Sequence, residues 1–147
     1  MAVFEVVRHS SLSASTTWRR LTDWPGHGAF IPLTEVHVTS QSDAVIGTVF
    51  TARTALGRFH FDDPMEITHW QPPSSDQPGR CRLVKQGRVV TGWAVLTVTP
   101  TAEGSTIHWL EDAHVRAVGP LLDLPNRVAG RIVFGRLVDG LLATKEG

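Results

Sequence analysis

The chain has 147 residues, enough for one domain that buries roughly two-thirds of the surface its unfolded form exposes. Fourteen basic and fourteen acidic residues cancel to a formal net charge of zero, so no overall positive field draws it to nucleic acid or acidic lipid. Cys81 is the only cysteine, which excludes an intramolecular disulfide and fits a reducing cytoplasm. Met1 to Arg8 lacks the basic start and apolar run of a signal peptide, and no stretch of about 18 apolar residues occurs, so the expected location is cytoplasmic with no integral membrane association.

Alternation through Val3, Phe4, Glu5, Val6 and Val7 predicts a first strand. Ser13 or Ser15 can cap a helix through Thr17, Trp18 and Leu21, which Pro25-Gly26 ends before a turn bearing His27, Phe30 and Ile31. Two short helices therefore follow the first strand. From Thr34 to about Val115 β-branched and aromatic residues dominate, broken at Ser42-Asp43, Leu56-Gly57, Gln71 to Gly79, Gln86-Gly87 and Pro100 to Gly104. Six strands fit between these breaks: 35–40, 47–56, 58–70, 80–86, 89–99 and 105–115. The short links favour an antiparallel meander. Asp123 is placed to cap a last helix with Pro125 in its first turn, running to about Thr144. Val133, Phe134, Leu137 and Leu141 form its densest apolar face, but Val128, Ile132, Val138 and Leu142 spread apolar character around it, so the helix expects to be surrounded. A curved sheet would do that. No repeat or second domain is visible, and residues 1–147 read as a single α+β domain with seven strands.

Strand alternation sorts side chains onto two faces. The inward set reads as Glu66, Thr68 and Trp70; Cys81, Leu83 and Lys85; Ala94, Leu96 and Val98; and Ile107, Trp109, Glu111 and Ala113. Three ionisable groups, Glu66, Lys85 and Glu111, then point into an apolar interior, where an unpaired charge costs several kcal/mol. Two readings stand. The cluster orients a ligand's carbonyl or hydroxyl, with Glu66 or Glu111 as the candidate proton carrier, or the groups sit at a solvated rim and neutralise one another. Arg53 is either a ligand anchor or an exposed strand arginine. Asp62-Asp63-Pro64 suggests a bend or bulge, because proline cannot donate to a ladder.

Five tryptophans and six phenylalanines with no tyrosine supply rigid apolar surface suited to a pocket wall: Trp24, Phe30, Phe50, Phe59, Phe61, Trp70, Trp93 and Trp109. Gly130 projects from the helix face of Val133, Phe134 and Leu137, leaving room for a ligand or for close helix-to-sheet contact. The candidate ligand-binding set is Trp24, Phe30, Phe50, Arg53, Phe61, Glu66, Trp70, Lys85, Trp109, Glu111, Gly130 and Phe134. No histidine pair has the i, i+4 spacing of a zinc motif, and neither a phosphate loop nor a nucleophile elbow is present. His27 reads as a loop histidine at the mouth between the short helices.

Several segments together resemble a known family. They are Trp24-Pro25-Gly26-His27, the run Gly47 to Gly57, Phe61-Asp62-Asp63-Pro64-Met65-Glu66-Ile67, Trp70 with Pro72-Pro73, Cys81 to Val90, Gly92-Trp93-Ala94, and Ala129-Gly130-Arg131 leading into Val133-Phe134-Gly135-Arg136. The chain resembles the helix-grip superfamily of polyketide cyclases and dehydratases, Bet v 1 proteins and steroidogenic-acute-regulatory-related lipid-transfer domains, most of all its small actinobacterial members. The resemblance implies a seven-stranded curved antiparallel sheet wrapped around the C-terminal helix, with an internal cavity. It also implies a hydrophobic small-molecule partner, such as a lipid, aromatic polyketide or isoprenoid, without cofactor, metal or nucleic acid, in a monomer or homodimer. Fold does not fix chemistry. A cyclase or dehydratase using a cavity carboxylate, and a non-catalytic interaction module, are the alternatives.

Overall fold

The computed structural model describes residues 3–31, 33–115 and 123–143, with the side-chain surroundings of 56, 59, 115 and 123–130 outside that description. Strand β1 (Val3–Ser10) leads to helix α1 (Ala14–Leu21) and the single turn α2 (Trp24–His27). Strands β2 (Thr34–Ser40), β3 (Val49–Leu56), β4 (Phe59–Gln71), β5 (Gly79–Lys85), β6 (Val90–Thr101) and β7 (Gly104–Val115) follow, then helix α3 (Asp123–Ala143). All seven strands form one antiparallel sheet in the order β1-β7-β6-β5-β4-β3-β2. The first strand thus closes the meander by pairing with the last, Val6 opposite Trp109.

Ser13 caps α1 by accepting the Thr16 backbone N–H at 3.2 Å, and spacing along the helix buries Thr17, Trp18 and Leu21 on one side. Pro25 does not end this helix as expected. It sits in the first turn of α2, where its fixed φ suits a helix start and no N–H is needed. Gly92, at φ +132°, faces the Asp112 carbonyl oxygen so closely that any Cβ would collide with it, and β6 approaches β7 here as only glycine allows.

Two corrections concern β4. The strand runs unbroken past Asp62-Asp63-Pro64, with Thr51 opposite Pro64 on the β3 side. The Pro64 carbonyl accepts the Gln86 N–H at 2.8 Å, just beyond the last β5 ladder residue, so the missing proline N–H falls where that ladder has stopped. The irregularity lies instead between Ile67 and His69, where Thr68 is the extra residue. On the near side of this bulge Met65 and Ile67 are buried, and on the far side Trp70 packs inward on Trp18, ring centroids 5.0 Å apart. Counting back by twos from Trp70 therefore misplaces Glu66 and Thr68, which lie on the outer face.

Trp18, Leu21, Cys81, Leu96, Val98 and Ile107 close one half of the interior with Leu137, Val138 and Leu141 of α3. Over residues 131–143 that helix is not surrounded, because Arg131, Ile132, Arg136 and Asp139 face outward. Arg20 donates to the Leu142 carbonyl at 2.8 Å, and Arg8 pairs with Asp139 at 2.9 Å, fixing the end of α3 to α1 and β1. No helix among the described residues is long and apolar enough to cross a membrane.

Candidate functional site

The other half of the interior is not filled. A pocket of about 170 Å³ lies between α2, α3 and the concave face of the sheet. Alternation brings Phe50, Ala52 and Thr54 of β3 to it, with Phe61, Asp63 and Met65 of β4, Leu83 and Lys85 of β5, and Trp109, Glu111 and Ala113 of β7. Trp24 and His27 come from α2, and Phe134 from α3. Its rings run as a chain. Phe50 stacks on Trp24 at 4.4 Å and 7°, Trp24 meets His27 at 5.3 Å, His27 meets Trp109 at 6.1 Å, and Trp109 stacks on Phe134 at 5.5 Å. Phe61, 40% exposed, marks where the pocket reaches the surface.

One polar cluster interrupts this apolar wall. The Lys85 ammonium donates to Asp63 Oδ2 at 2.7 Å, lies 3.9 Å from Glu111 Oε2 and contacts Met65 Sδ at 3.5 Å. The Trp109 indole N–H donates to Glu111 Oε1 at 3.3 Å. The side chains of Lys85 and Glu111 are 3% and 4% exposed. Burial disfavours the Lys85 cation, but the two carboxylates beside it outweigh that and raise its pKa. Burial raises Glu111 above the usual carboxylate range despite the ammonium, and raises Asp63 likewise. Two acids share one cation. Glu111, deeper and farther from Nζ than Asp63, is the acid that takes up a proton more readily.

His27 is buried rather than a solvated loop residue. Its Nε2–H donates to the Leu21 carbonyl at 2.8 Å, and burial lowers its pKa. The ring is therefore neutral with a lone pair on Nδ1.

Of the expected site residues, Trp24, Phe50, Phe61, Lys85, Trp109, Glu111 and Phe134 line the pocket. Phe30, Arg53, Glu66 and Trp70 do not. Glu66 is on the outer face, displaced by the β4 bulge, and Trp70 belongs to the filled half with Trp18. Phe30 packs against Gly140 of α3, whose small size admits its ring. Arg53 lies outside because Ala52 and Thr54 point inward; it forms a two-bond fork with Asp62 at 2.7 and 3.0 Å. Trp93 is likewise on the outer face, beside Arg82 and Val95. Gly130 and the Phe59 side chain lie outside the described residues. Asp63, the closest partner of Lys85, is the residue the strand count missed. The one-residue shift at Thr68 that set Glu66 inward in that count set Asp63 outward.

Such a sheet gripping a C-terminal helix over a lined pocket defines a helix-grip protein. The model of the family described as polyketide cyclase/dehydrase and lipid transport matches residues 1–144, and the chain belongs to that family. Among solved structures it is similar to the protein TTHA0849 of Thermus thermophilus, with TM-score 0.75 at 14% identity over 95% of this chain and 94% of that one. The Zhui aromatase/cyclase of a Streptomyces species gives 0.66 at 14% identity, covering 95% and 92%. The Polyketide_cyc-like protein Cgl2372 of Corynebacterium glutamicum gives 0.61 at 13%, covering 97% and 90%. At these identities the likeness speaks for fold alone. No curated protein matches the chain significantly.

Proposed function

We propose that the chain is one ligand-binding domain whose pocket holds the ring of a hydrophobic small molecule, such as an aromatic polyketide, isoprenoid or ring-bearing lipid. The observation that carries this reading is a largely apolar pocket of about 170 Å³, walled by rings and carrying the buried Asp63–Lys85–Glu111 cluster. An apolar cavity of about 150 Å³ is enough to hold benzene. The pocket therefore encloses about one ring, and a larger ligand extends past Phe61. Native mass spectrometry of protein purified from its own host, with denaturing extraction, tests the reading. A stoichiometric ring compound supports it. A clean apo mass with no thermal shift across a hydrophobic panel removes it.

A second reading is favoured by Glu111. A buried carboxyl with a raised pKa, oriented by Trp109 and beside an ammonium, suits proton transfer to or from a bound carbonyl compound, as a cyclase or dehydratase requires. The family's description as polyketide cyclase/dehydrase and lipid transport agrees with it. Under this reading Glu111→Gln abolishes turnover of a polyketide-like substrate while binding changes little. Equal loss of binding and turnover counts against it.

A further inference from the structure

We propose that this pocket, taken as the ligand site argued above, selects uncharged ring compounds bearing a hydroxyl or keto oxygen and rejects their carboxylate analogues. Charge and hydrogen-bonding capacity set this preference. Among the described lining residues the ionisable groups are His27, Asp63, Lys85 and Glu111. Lys85 carries the one full cation, and it is committed: Asp63 Oδ2 takes its shortest bond at 2.7 Å, Glu111 Oε2 stands at 3.9 Å, and the amine is almost wholly buried. An ammonium balanced by two acids offers an incoming carboxylate no net attraction. His27 offers none either, because its single N–H is held by the Leu21 carbonyl. Asp112, on the outer face behind Glu111, adds negative potential from the far side of the sheet.

A carboxylate entering here would lose its hydration against an apolar wall and meet surplus negative charge, a combination that suppresses binding. It could stay only by taking up a proton, on itself or on the cluster. An uncharged oxygen meets no such penalty. As a hydroxyl it donates to the lone pair that the bond to Leu21 leaves on His27 Nδ1, and as a ketone it accepts from Glu111 once that carboxylate takes up a proton, which its burial favours. The pocket thus filters amphiphiles by headgroup charge as well as by ring size, and fatty acids fall outside its range.

The test is isothermal titration calorimetry of the full chain with 2-naphthol and with 2-naphthoate at pH 7.5, repeated in buffers of different ionisation enthalpy. The expected result is naphthol bound at least about tenfold more tightly, a difference of roughly 1.4 kcal/mol. Naphthoate should take up about one proton on binding and naphthol none. The preference should shrink in Asp63→Asn and reverse in Asp63→Asn/Glu111→Gln, where Lys85 is left with no carboxylate partner. Naphthoate bound as tightly as naphthol, without proton uptake, overturns the charge filter and leaves the pocket as a ligand site. Binding of neither compound overturns both. The wild-type affinities and proton counts decide the matter even where a variant does not fold.

Discussion

Lys85 is the residue on which the polar cluster depends. Removing it leaves Asp63 and Glu111 facing each other without a cation, and breaking a buried ion pair from one side costs about 3–5 kcal/mol. Lys85→Met should therefore lose stability of that order at pH 7 in urea unfolding, and regain part of it at pH 5 as the two acids protonate. Glu111 and His27 act on stability in opposite directions with pH. The folded-state pKa of Glu111 is raised by burial, so its contribution is complete below the ordinary glutamate range and is lost as pH rises through the folded value. The folded-state pKa of His27 is lowered by burial, so its contribution is present above about pH 6.5 and is lost as pH falls through the folded value. Unfolding free energies between pH 5 and 8 should thus lose their acid-side decline in His27→Gln and their alkaline-side decline in Glu111→Gln. A wild-type slope retained in both variants would assign the dependence to other groups. At this scale the sequence was partly legible: Lys85 and Glu111 follow from alternation on regular strands. Asp63 and His27 did not, because the bulge at Thr68 reverses the faces counted from Trp70 and so turns Asp63 outward, and His27 owes its burial to a single turn that no local pattern encodes.

Among the elements, β4 and β6 each depend on one backbone feature. Gly92→Ala places a methyl group against the Asp112 carbonyl and imposes a disfavoured φ, and should cost about 2 kcal/mol or more in urea unfolding. A neutral effect there would mean that β6 can shift away from β7 without penalty. Gly140→Ala should be destabilising for a different reason, since its methyl group would strike the Phe30 ring. The element order and most boundaries were legible because turn residues and β-branched runs mark them strongly. The bulge at Thr68 was not, since an extra strand residue leaves no mark in composition and shows only once two strands are paired.

Across the whole molecule, the interior divides into a filled half around Ile107 and Leu137 and an open half around the pocket. Local stability should follow this division. Hydrogen exchange should be slowest for amides of β6 and β7 beside Val98 and Ile107, and faster in β2 and β3 beside Val36 and Thr54. A bound ring compound should slow exchange in the second group far more than in the first. Uniform protection across both groups would mean that the open half does not depend on an occupant. The family and its fold were readable from the whole run of segments, whereas the ligand was not, because the pocket is assembled from residues far apart in the chain.

The bulge at Thr68 has a consequence for how such a protein diversifies. It separates the two ends of β4 into different phases, so that Phe61, Asp63 and Met65 serve the pocket while Trp70 serves the filled half. Inheritance can act on the two ends independently. A lineage that exchanges residues 61, 63 and 65 alters the pocket wall without disturbing the Trp18–Trp70 contact, and drift at residue 70 leaves that wall unchanged.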